Sequence, residues 1–382
     1  MSIYLDHGAT SFPKPEAVYR RISDVLRRTG ANPGRSDHKM ARKASRILAD
    51  TREEISLLFN ISRPERVIFT ANATEAINLG LKGILSPGDL AVTSSLEHNS
   101  VIRPLRRLEA SGVGFYQAPC SRGGNLSLRA LRRNLKRKTR LIVLTHASNV
   151  LGTILPIEEV GELARSRGIL FLVDAAQTAG LIPIDVQKMK IDLLACPGHK
   201  SLYGPPGTGF LYVGEGIDLR PLKEGGTGTE SEKEEQPLGM PHRLESGTLN
   251  TPGIAGLGAG VAFVRKEGVD KIWKKEKGLT RHVLRGLKKI PRVRVYGPPD
   301  GEDRIPLVSF NVDSIHPGQV GFLLDEVYDI LVRAGLHCAP HVHRMIKTFP
   351  AGTVRASFGF FNSPEDSQAL VRAVREICRM KA

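Results

Sequence analysis

The sequence predicts an α/β fold: a large domain built on a mostly parallel sheet with helices on both faces, and a smaller domain from about residue 260 onward. Three observations carry this. Short apolar runs alternate with stretches of helical periodicity between residues 66 and 213. At 382 residues and 41% hydrophobic, the chain can bury a core larger than a single small domain needs. A Gly/Pro/Ser-rich, charged stretch, KEGGTGTESEKEEQPLGMPHRLESGTLNTPG (223–253), then breaks the alternation, and a helix-rich tail follows it.

The elements run in order as follows. An extended segment closes at the FPKP turn, and apolar spacing predicts helices over roughly 15–29 and 38–60. RVIFT (66–70) reads as a strand and TEAINLGLKGIL as the helix after it. DLAVTS, LIVLTH, GILFLVD, IDLLAC and GFLYV read as further strands, with helical patterns such as IEEVGELARSRG between them. Sheets of this kind bind ligands beyond the carboxyl ends of their strands. The 223–253 stretch reads as an ordered or lid-like connection near a site.

Several classes of function recede on composition. No run of about eighteen apolar residues occurs, and MSIYLDHGAT has no basic segment leading into an apolar one, so neither a membrane span nor a signal peptide is predicted and a cytoplasmic location is expected. Cys120, Cys196, Cys338 and Cys378 lie far apart with no CxxC pair, which argues against a zinc site or a disulfide scaffold and predicts no metal. The net charge of +16 makes polyanions conceivable partners. The basic residues, however, sit in LRALRRNLKRKTR (128–140) and WKKEKGLTRHVLRGLKKIPRVR (273–294), where Leu128, Leu131 and Leu135 form a core-facing stripe and the charges a solvated face. Aromatics are 5% and do not interleave with the charges, which argues against nucleic acid and leaves an acidic protein as the partner such faces fit. GLGAG (256–260) lies in a helical pattern with no acidic residue at dinucleotide spacing and reads as helix packing; no GxxxxGK[ST] occurs.

Four strand ends carry polar residues that a buried sheet does not require: Thr74, Asn149, Asp174 with Gln177, and His199-Lys200. In a parallel sheet these converge on one rim. A lysine held in low dielectric has its charged form disfavoured, so its amine becomes a nucleophile toward an aldehyde and suits a Schiff base. An aspartate beside it can pair with a protonated pyridine nitrogen, and Thr74 at a helix N-terminus can receive a phosphate. Lysine, aspartate and phosphate cradle together make the chemistry of pyridoxal 5′-phosphate. Taken singly, VDAAQ could be a strand cap and ATEAIN an ordinary N-cap; the combination is what points to the cofactor.

The order of motifs resembles the class V aminotransferase family of fold-type I pyridoxal phosphate enzymes, within it the cysteine desulfurases and selenocysteine lyases. The likeness runs nearly end to end: YLDHGATSFPKP, NPGRSDHKMARKASRILADTREEISLLFN, FTANATEAIN, LEHNSVIRP, THASNVLGT, VDAAQTAG, PGHKSLYGPPGTG, ESGTLNTPGIAGLG, VRAGLHCAPH and VRASFGFFN. The resemblance implies a smaller α+β C-terminal domain and a division into an N-terminal segment 1–15 packing with that domain, a large cofactor-binding domain 16–259, and a small domain 260–382 carrying a cysteine loop. It implies that Lys200 holds the cofactor, Asp174 pairs with its ring nitrogen, Gln177 contacts its phenolic oxygen and His98 stacks on the ring. Ala73, Thr74 and His199 would surround the phosphate, and Thr248 would reach the phosphate of a partner subunit, giving a homodimer with shared active sites.

Within the family, an arginine of the last small-domain segment binds the substrate carboxylate, which here implies Arg355, with Arg333 and Asn149 beside it. The loop cysteine, here Cys338, takes sulfur from L-cysteine as a persulfide and leaves alanine, with Lys200 moving the α-proton and His98 as an acid/base. L-selenocysteine is the other expected substrate, and a sulfur-acceptor protein or a thiol reductant the expected next step. His337, His341, His343 and Arg333 could favour the Cys338 thiolate; the equal reading of the three histidines is surface scatter. The alternative is another class V reaction, such as transamination, epimerisation or C–S β-elimination, in which Cys338 is dispensable. The sequence departs from the family at Pro197, where many relatives place a serine or threonine donating to the phosphate, at His7, which replaces a common asparagine, and at Ala73, which replaces a second hydroxyl.

Overall fold

A computed structural model describes residues 2–298 and 304–380. Strand β1 (Ile3–Tyr4) is followed by helices α1 (Glu16–Arg28) and α2 (Lys39–Phe59). Helix α2 buries Ala41, Ala44, Ile47, Leu48, Ile55 and Phe59 along one stripe, and ends at Asn60, whose left-handed φ of 55° stops the helix. The alternating region then supplies β2 (Val67–Thr70), α3 (Ala73–Ile84), β3 (Leu90–Ser94), α4 (Asn99–Glu109), β4 (Gly114–Ala118), α5 (Leu128–Asn134), β5 (Thr139–Thr145), α6 (Ile157–Ser166), β6 (Leu170–Asp174), β7 (Leu193–Pro197) and β8 (Gly209–Val213).

These strands make one sheet in the order β2-β8-β7-β6-β5-β3-β4. Strand β8 runs antiparallel to both neighbours, and the remaining pairs are parallel. The period-2 alternation divides each strand between two cores. Val67, Phe69, Ile142, Leu144, Phe171 and Phe210 face one helical layer, while Ile68, Leu141, Val143, Leu172 and Leu211 face the other. Strand β4, GFYQA, escaped the sequence reading because four of its five residues are only half-buried, so no apolar run marks it.

Beyond the Gly/Pro-rich connection come α7 (Thr251–Glu267), α8 (Val269–Leu287), β9 (Val293–Tyr296), β10 (Leu307–Val312), α9 (Pro317–Tyr328), β11 (Ile330–Leu331), β12 (Arg333–Gly335), α10 (Pro340–Met345), β13 (Thr353–Ser357) and α11 (Pro364–Met380). An antiparallel sheet, β12-β13-β10-β9, with α8, α9 and α11 forms the second core around Phe310, Val283 and Val374. The boundary expected at 259/260 falls inside α7, a continuous helix that packs on α1 and α2 of the large domain. GLGAG serves that packing: a Cβ on Gly256 would lie 2.7 Å from Ile22, and one on Gly258 would lie 2.6 Å from Thr51. The 223–253 connection lies against Asn32–Arg35 and α2, where it encloses a separate cavity, and it does not line the space around Lys200.

The first fifteen residues bridge the two domains. Strand β1 pairs in parallel with β11, and Leu5 enters the small-domain core. A few residues later the same segment grips the large domain at the peptide before Lys200: the His199 carbonyl accepts from the Ser11 N–H at 3.0 Å and from Lys14 Nζ at 2.8 Å.

Candidate active site

The register of the large sheet aligns Thr145 on β5, Asp174 on β6 and Ala195 on β7, so the segments leaving these strands emerge at one edge. Together with the start of α3 and the residues before α4 they enclose a cavity of about 220 Å³. Ala73, Thr74, His98, Asn149, Asp174, Gln177, Pro197, His199 and Lys200 line it from the large domain; Arg333, His337 and Arg355 line it from the small one. Thr248 is not among the lining residues: it is exposed and its hydroxyl accepts from Asn32 Nδ2 at 3.1 Å.

Burial sets the protonation states on this floor. Lys200 is pulled down to about 8, first by desolvation and then by the Arg355 charge, with Asp174 working in the opposite direction. Asp174 is raised by burial, which the Ala176 N–H on its Oδ1 at 2.9 Å and the Lys200 charge partly offset. His98 and His199 are each lowered to about 4, chiefly by desolvation, so both are neutral imidazoles at neutral pH. His98 Nδ1 accepts the Ser100 backbone N–H at 3.0 Å as the N-cap of α4, which puts its proton on Nε2. The Ser100 hydroxyl joins His98 Nδ1 at 2.7 Å to Thr74 Oγ1 at 2.8 Å, and so links the α3 N-terminus to the imidazole.

Arg355 crosses from the small domain almost fully buried. Its Nη2 pairs with Asp6 at 2.8 Å, its Nη1 donates to the Asn149 carbonyl at 3.1 Å, and its Nε finds no acceptor among the described residues. Gly8 allows this approach, since a Cβ there would stand 3.0 Å from the guanidinium carbon. Asp6, Gly8, Lys14, Ser100 and a buried carboxyl, Glu97, are residues of the site that sequence reasoning did not single out. Their signal lay in the quoted motifs YLDHGATSFPKP and LEHNS, but which of those side chains turn inward depends on packing.

Cys338 occupies a turn between β12 and α10 and is exposed. Both His337 (φ 47°) and Cys338 (φ 58°) are left-handed, a conformation that costs non-glycine residues of order 1 kcal/mol or more each and persists where surroundings impose it. Two carbonyl contacts impose it here: Asn149 Nδ2 donates to His337 O at 2.6 Å, and the Asn99 N–H donates to Cys338 O at 2.8 Å. Arg333 Nη2 lies 3.7 Å from Cys338 Sγ. The expectation that three histidines assist the thiol is corrected. His337 is buried on Thr353 and pushed well below 6.5, His343 is buried on Thr348 and lowered to about 4, and His341 bonds Gln117 and is also lowered. Desolvation leads in each case, so the positive charge at the thiol comes from arginine.

A family model for class V aminotransferases matches residues 3–370. The chain belongs to the class V aminotransferase family. Among its relatives there, a probable cysteine desulfurase of Methanothermobacter thermautotrophicus is 35% identical over 99% of this chain and 95% of its own length. A cysteine desulfurase of Escherichia coli is 36% identical over 99% of this chain and 93% of its own. The structure of a cysteine desulfurase from Thermococcus onnurineus superposes with a TM-score of 0.92 at 33% identity, covering 99% of this chain and 95% of that one. An Escherichia coli enzyme of the same description gives 0.88 at 28% identity.

Proposed function

We propose that this class V protein is a pyridoxal phosphate-dependent cysteine desulfurase that converts L-cysteine to L-alanine and carries the sulfur on Cys338. The observation that carries the reading is the thiol itself. An exposed cysteine is held in a strained turn with Arg333 Nη2 3.7 Å from its sulfur, and Arg333 and the adjoining His337 both line the Lys200 cavity.

The residues present fit the cofactor. Lys200 offers an amine whose proton is loosely held, Asp174 a buried carboxylate for a ring N–H, and the N-terminus of α3, with the Thr74 and Ser100 hydroxyls beside it, a place for a phosphate. When bound, the cofactor supplies an electron sink that stabilises negative charge at the substrate α-carbon. Everything else falls to the chain. Arg355, locked by Asp6 and Asn149, presents its Nε edge to the substrate carboxylate, and a guanidinium suits that group better than an ammonium. Lys200, with a pKa near 8, moves the α-proton in either direction near neutral pH. His98, neutral with its proton on Nε2, is a donor within the same cavity. The Cys338 thiolate attacks the substrate sulfur; an S–S bond forms as the substrate C–S bond breaks, and two protons delivered to the remaining carbon skeleton complete alanine.

Two finer points belong to the same reading. In a homodimer, Thr248, which is exposed and does not line its own cavity, would reach the phosphate in the cavity of the second subunit. L-Selenocysteine would bind through the same carboxylate and amine contacts. Among the described residues no helix is long and apolar enough to cross a membrane, and the four free thiols fit a reducing, cytoplasmic setting.

The test is alanine and sulfide release from L-cysteine with dithiothreitol present, for the wild type and for Cys338→Ala. Equimolar products that disappear in the variant support desulfuration through Cys338. Undiminished alanine from the variant would sink the persulfide step and turn attention to the transaminase and lyase reactions.

A further inference from the structure

Glu97 is a buried carboxyl at the point where the large sheet comes apart. Strand β3 keeps its register with β4 out to Ser94↔Ala118, and β5 keeps its register with β6 out to Thr145↔Asp174, but the β3–β5 register stops earlier, at Val92 and Ile142. The Thr145 N–H therefore donates to Glu97 Oε2, at 2.9 Å, instead of to a β3 carbonyl. Ser94 Oγ stands 2.5 Å from Glu97 Oε1 and accepts the Leu96 N–H at 3.1 Å. One side chain thus ties together the end of β3, the turn after it and the end of β5. Each tie leads to a group of the cavity. Thr145 lines it, and the next residue, His146, donates its N–H to the Asp174 carbonyl at 2.9 Å. On the other side His98 follows Glu97 in the chain and caps α4 through the Ser100 N–H. Burial pushes Glu97 up to about 8 and the Asp174 charge adds to the rise, so near pH 7 it is a neutral acid that donates to Ser94 and accepts from Thr145.

We propose that Glu97 is a positioning residue: by bridging β3 and β5 where their ladder stops, it sets the span between the His98 imidazole and the Asp174 carboxyl, the two groups assigned to the cofactor ring. The inference rests on the pyridoxal phosphate reading of the cavity. A ladder bond at this point would draw the strands to the usual spacing of about 4.8 Å and bring the turn that carries His98 toward Asp174. A glutamate, reaching across with its side chain, ties the two ends and leaves them parted. Glu97 takes part in no bond that forms or breaks, so its contribution is read through the groups it holds. Simple bracing of the sheet is the competing role, and it would move stability without moving the ring.

The test compares the holoenzymes of the wild type, Glu97→Gln, Glu97→Asp and Glu97→Ala at saturating pyridoxal phosphate. Circular dichroism in the Schiff-base absorption band reports how the ring sits in its asymmetric surroundings, independently of turnover. Glu97→Gln offers the same carbonyl to Thr145 and an N–H to Ser94, so it should keep the wild-type dichroism and the wild-type kcat for alanine formation. Glu97→Asp, one methylene short, and Glu97→Ala should change the dichroic amplitude and lower kcat on the order of 10- to 10²-fold, the loss expected when reacting groups shift by up to about 1 Å. The KM for L-cysteine should stay within about twofold of wild type, because Arg355 is held by Asp6 and Asn149. A lower melting temperature with dichroism and kcat unaltered in Glu97→Asp and Glu97→Ala would overturn the proposal and leave Glu97 a brace. Impairment of Glu97→Gln equal to that of Glu97→Ala would overturn it as well, since charge and not position would then be at issue. If Glu97→Ala does not fold, the Glu97→Gln and Glu97→Asp pair decides. Wild-type enzyme that makes no alanine would strike the desulfurase reading, and the dichroism would still decide for Glu97.

Discussion

The floor of the cavity and its mouth are built on opposite principles. On the floor, Asp174, Lys200, His98 and His199 sit at the ends of buried strands, and desolvation is the leading influence on every one of them. At the mouth, Cys338 is exposed, held through two backbone carbonyls in a left-handed turn and attended by the Arg333 guanidinium. The floor works by withholding water, so charges there are disfavoured and protons move easily; the mouth works by presenting a thiolate to whatever arrives. A single site therefore contains one half that cannot tolerate lost burial and one half that depends on access.

The sharpest way to separate the halves is to remove one nucleophile from each. Lys200→Ala should abolish covalent attachment of pyridoxal phosphate and lower alanine formation by at least the 10²–10⁴-fold that a positioned proton-transfer group contributes, roughly. Cys338→Ala should lose turnover as well, yet keep the cofactor absorbance of the wild type. Loss of cofactor from the cysteine variant would show that the halves are not separable.

A second, smaller effect concerns acid. His7, His98, His146, His199 and His343 are each lowered to about 4, chiefly by burial. Between about 6.5 and 4 the unfolded chain binds protons there that the folded chain refuses, so stability is lost as pH falls through that range. Glu97 opposes this: burial raises it to about 8, the folded state keeps a proton the unfolded state has released, and its contribution falls as pH rises from 4.5 to 8. Asp174, Asp192, Glu245 and Glu276, raised chiefly by burial, act with Glu97, while His337 and His341 join the lowered histidines, so seven groups stand against five. Denaturant midpoints of the apoprotein should therefore drop between pH 6.5 and 5, less steeply than the histidines alone would dictate, and Arg344→Glu at the mouth should leave that slope unaltered. A flat profile would mean the floor is wetter than its burial implies.

The two halves were also unequally legible. The floor could be read because each of its groups follows an apolar strand, and parallel register forces strand ends together whatever the side chains are: RVIFT, LIVLTH, GILFLVD and IDLLAC sufficed to bring Thr74, Asn149, Asp174 and Lys200 to one cavity. The mouth was read from a short segment, GLHCAPH, in which two histidines flank a cysteine and a third, His343, follows just beyond. Sequence does not say that His337 turns toward Thr353 and His343 toward Thr348, because those directions follow from the left-handed turn and from the β12–β13 pairing. Asp6 and Lys14 were hidden for a similar reason, since they act 349 and 185 residues from their partners.

Cofactor capture tests the dryness of the floor directly. In the apoprotein the free amine of Lys200 is the species that reacts with an aldehyde, and its pKa is displaced from 10.5 to about 8. The rate at which apoprotein takes up pyridoxal phosphate, followed by the growth of Schiff-base absorbance, should rise with pH and level off above about 8. Levelling only near 10.5 would mean that water reaches the amine freely and that the contrast with the mouth is one of position alone.

The smallest expected effect sharpens the comparison within the floor itself. Pro197 ends β7 opposite Gly209 and lines the cavity with a ring that can donate nothing, where the resemblance to the family leads one to expect a hydroxyl. A hydrogen bond to a charged group is worth about 1.5–3 kcal/mol, but Pro197→Ser also loosens the unfolded chain and returns an N–H that must be satisfied. The net gain should be a several-fold lower Kd for pyridoxal phosphate, measured by quenching of the single Trp273 or by equilibrium dialysis, with alanine formation at saturating cofactor unchanged. An unaltered Kd would place the phosphate entirely on the Thr74, Ser100 and His199 side of the cavity. Proline there would then be a neutral packing choice made by a floor that already has donors enough.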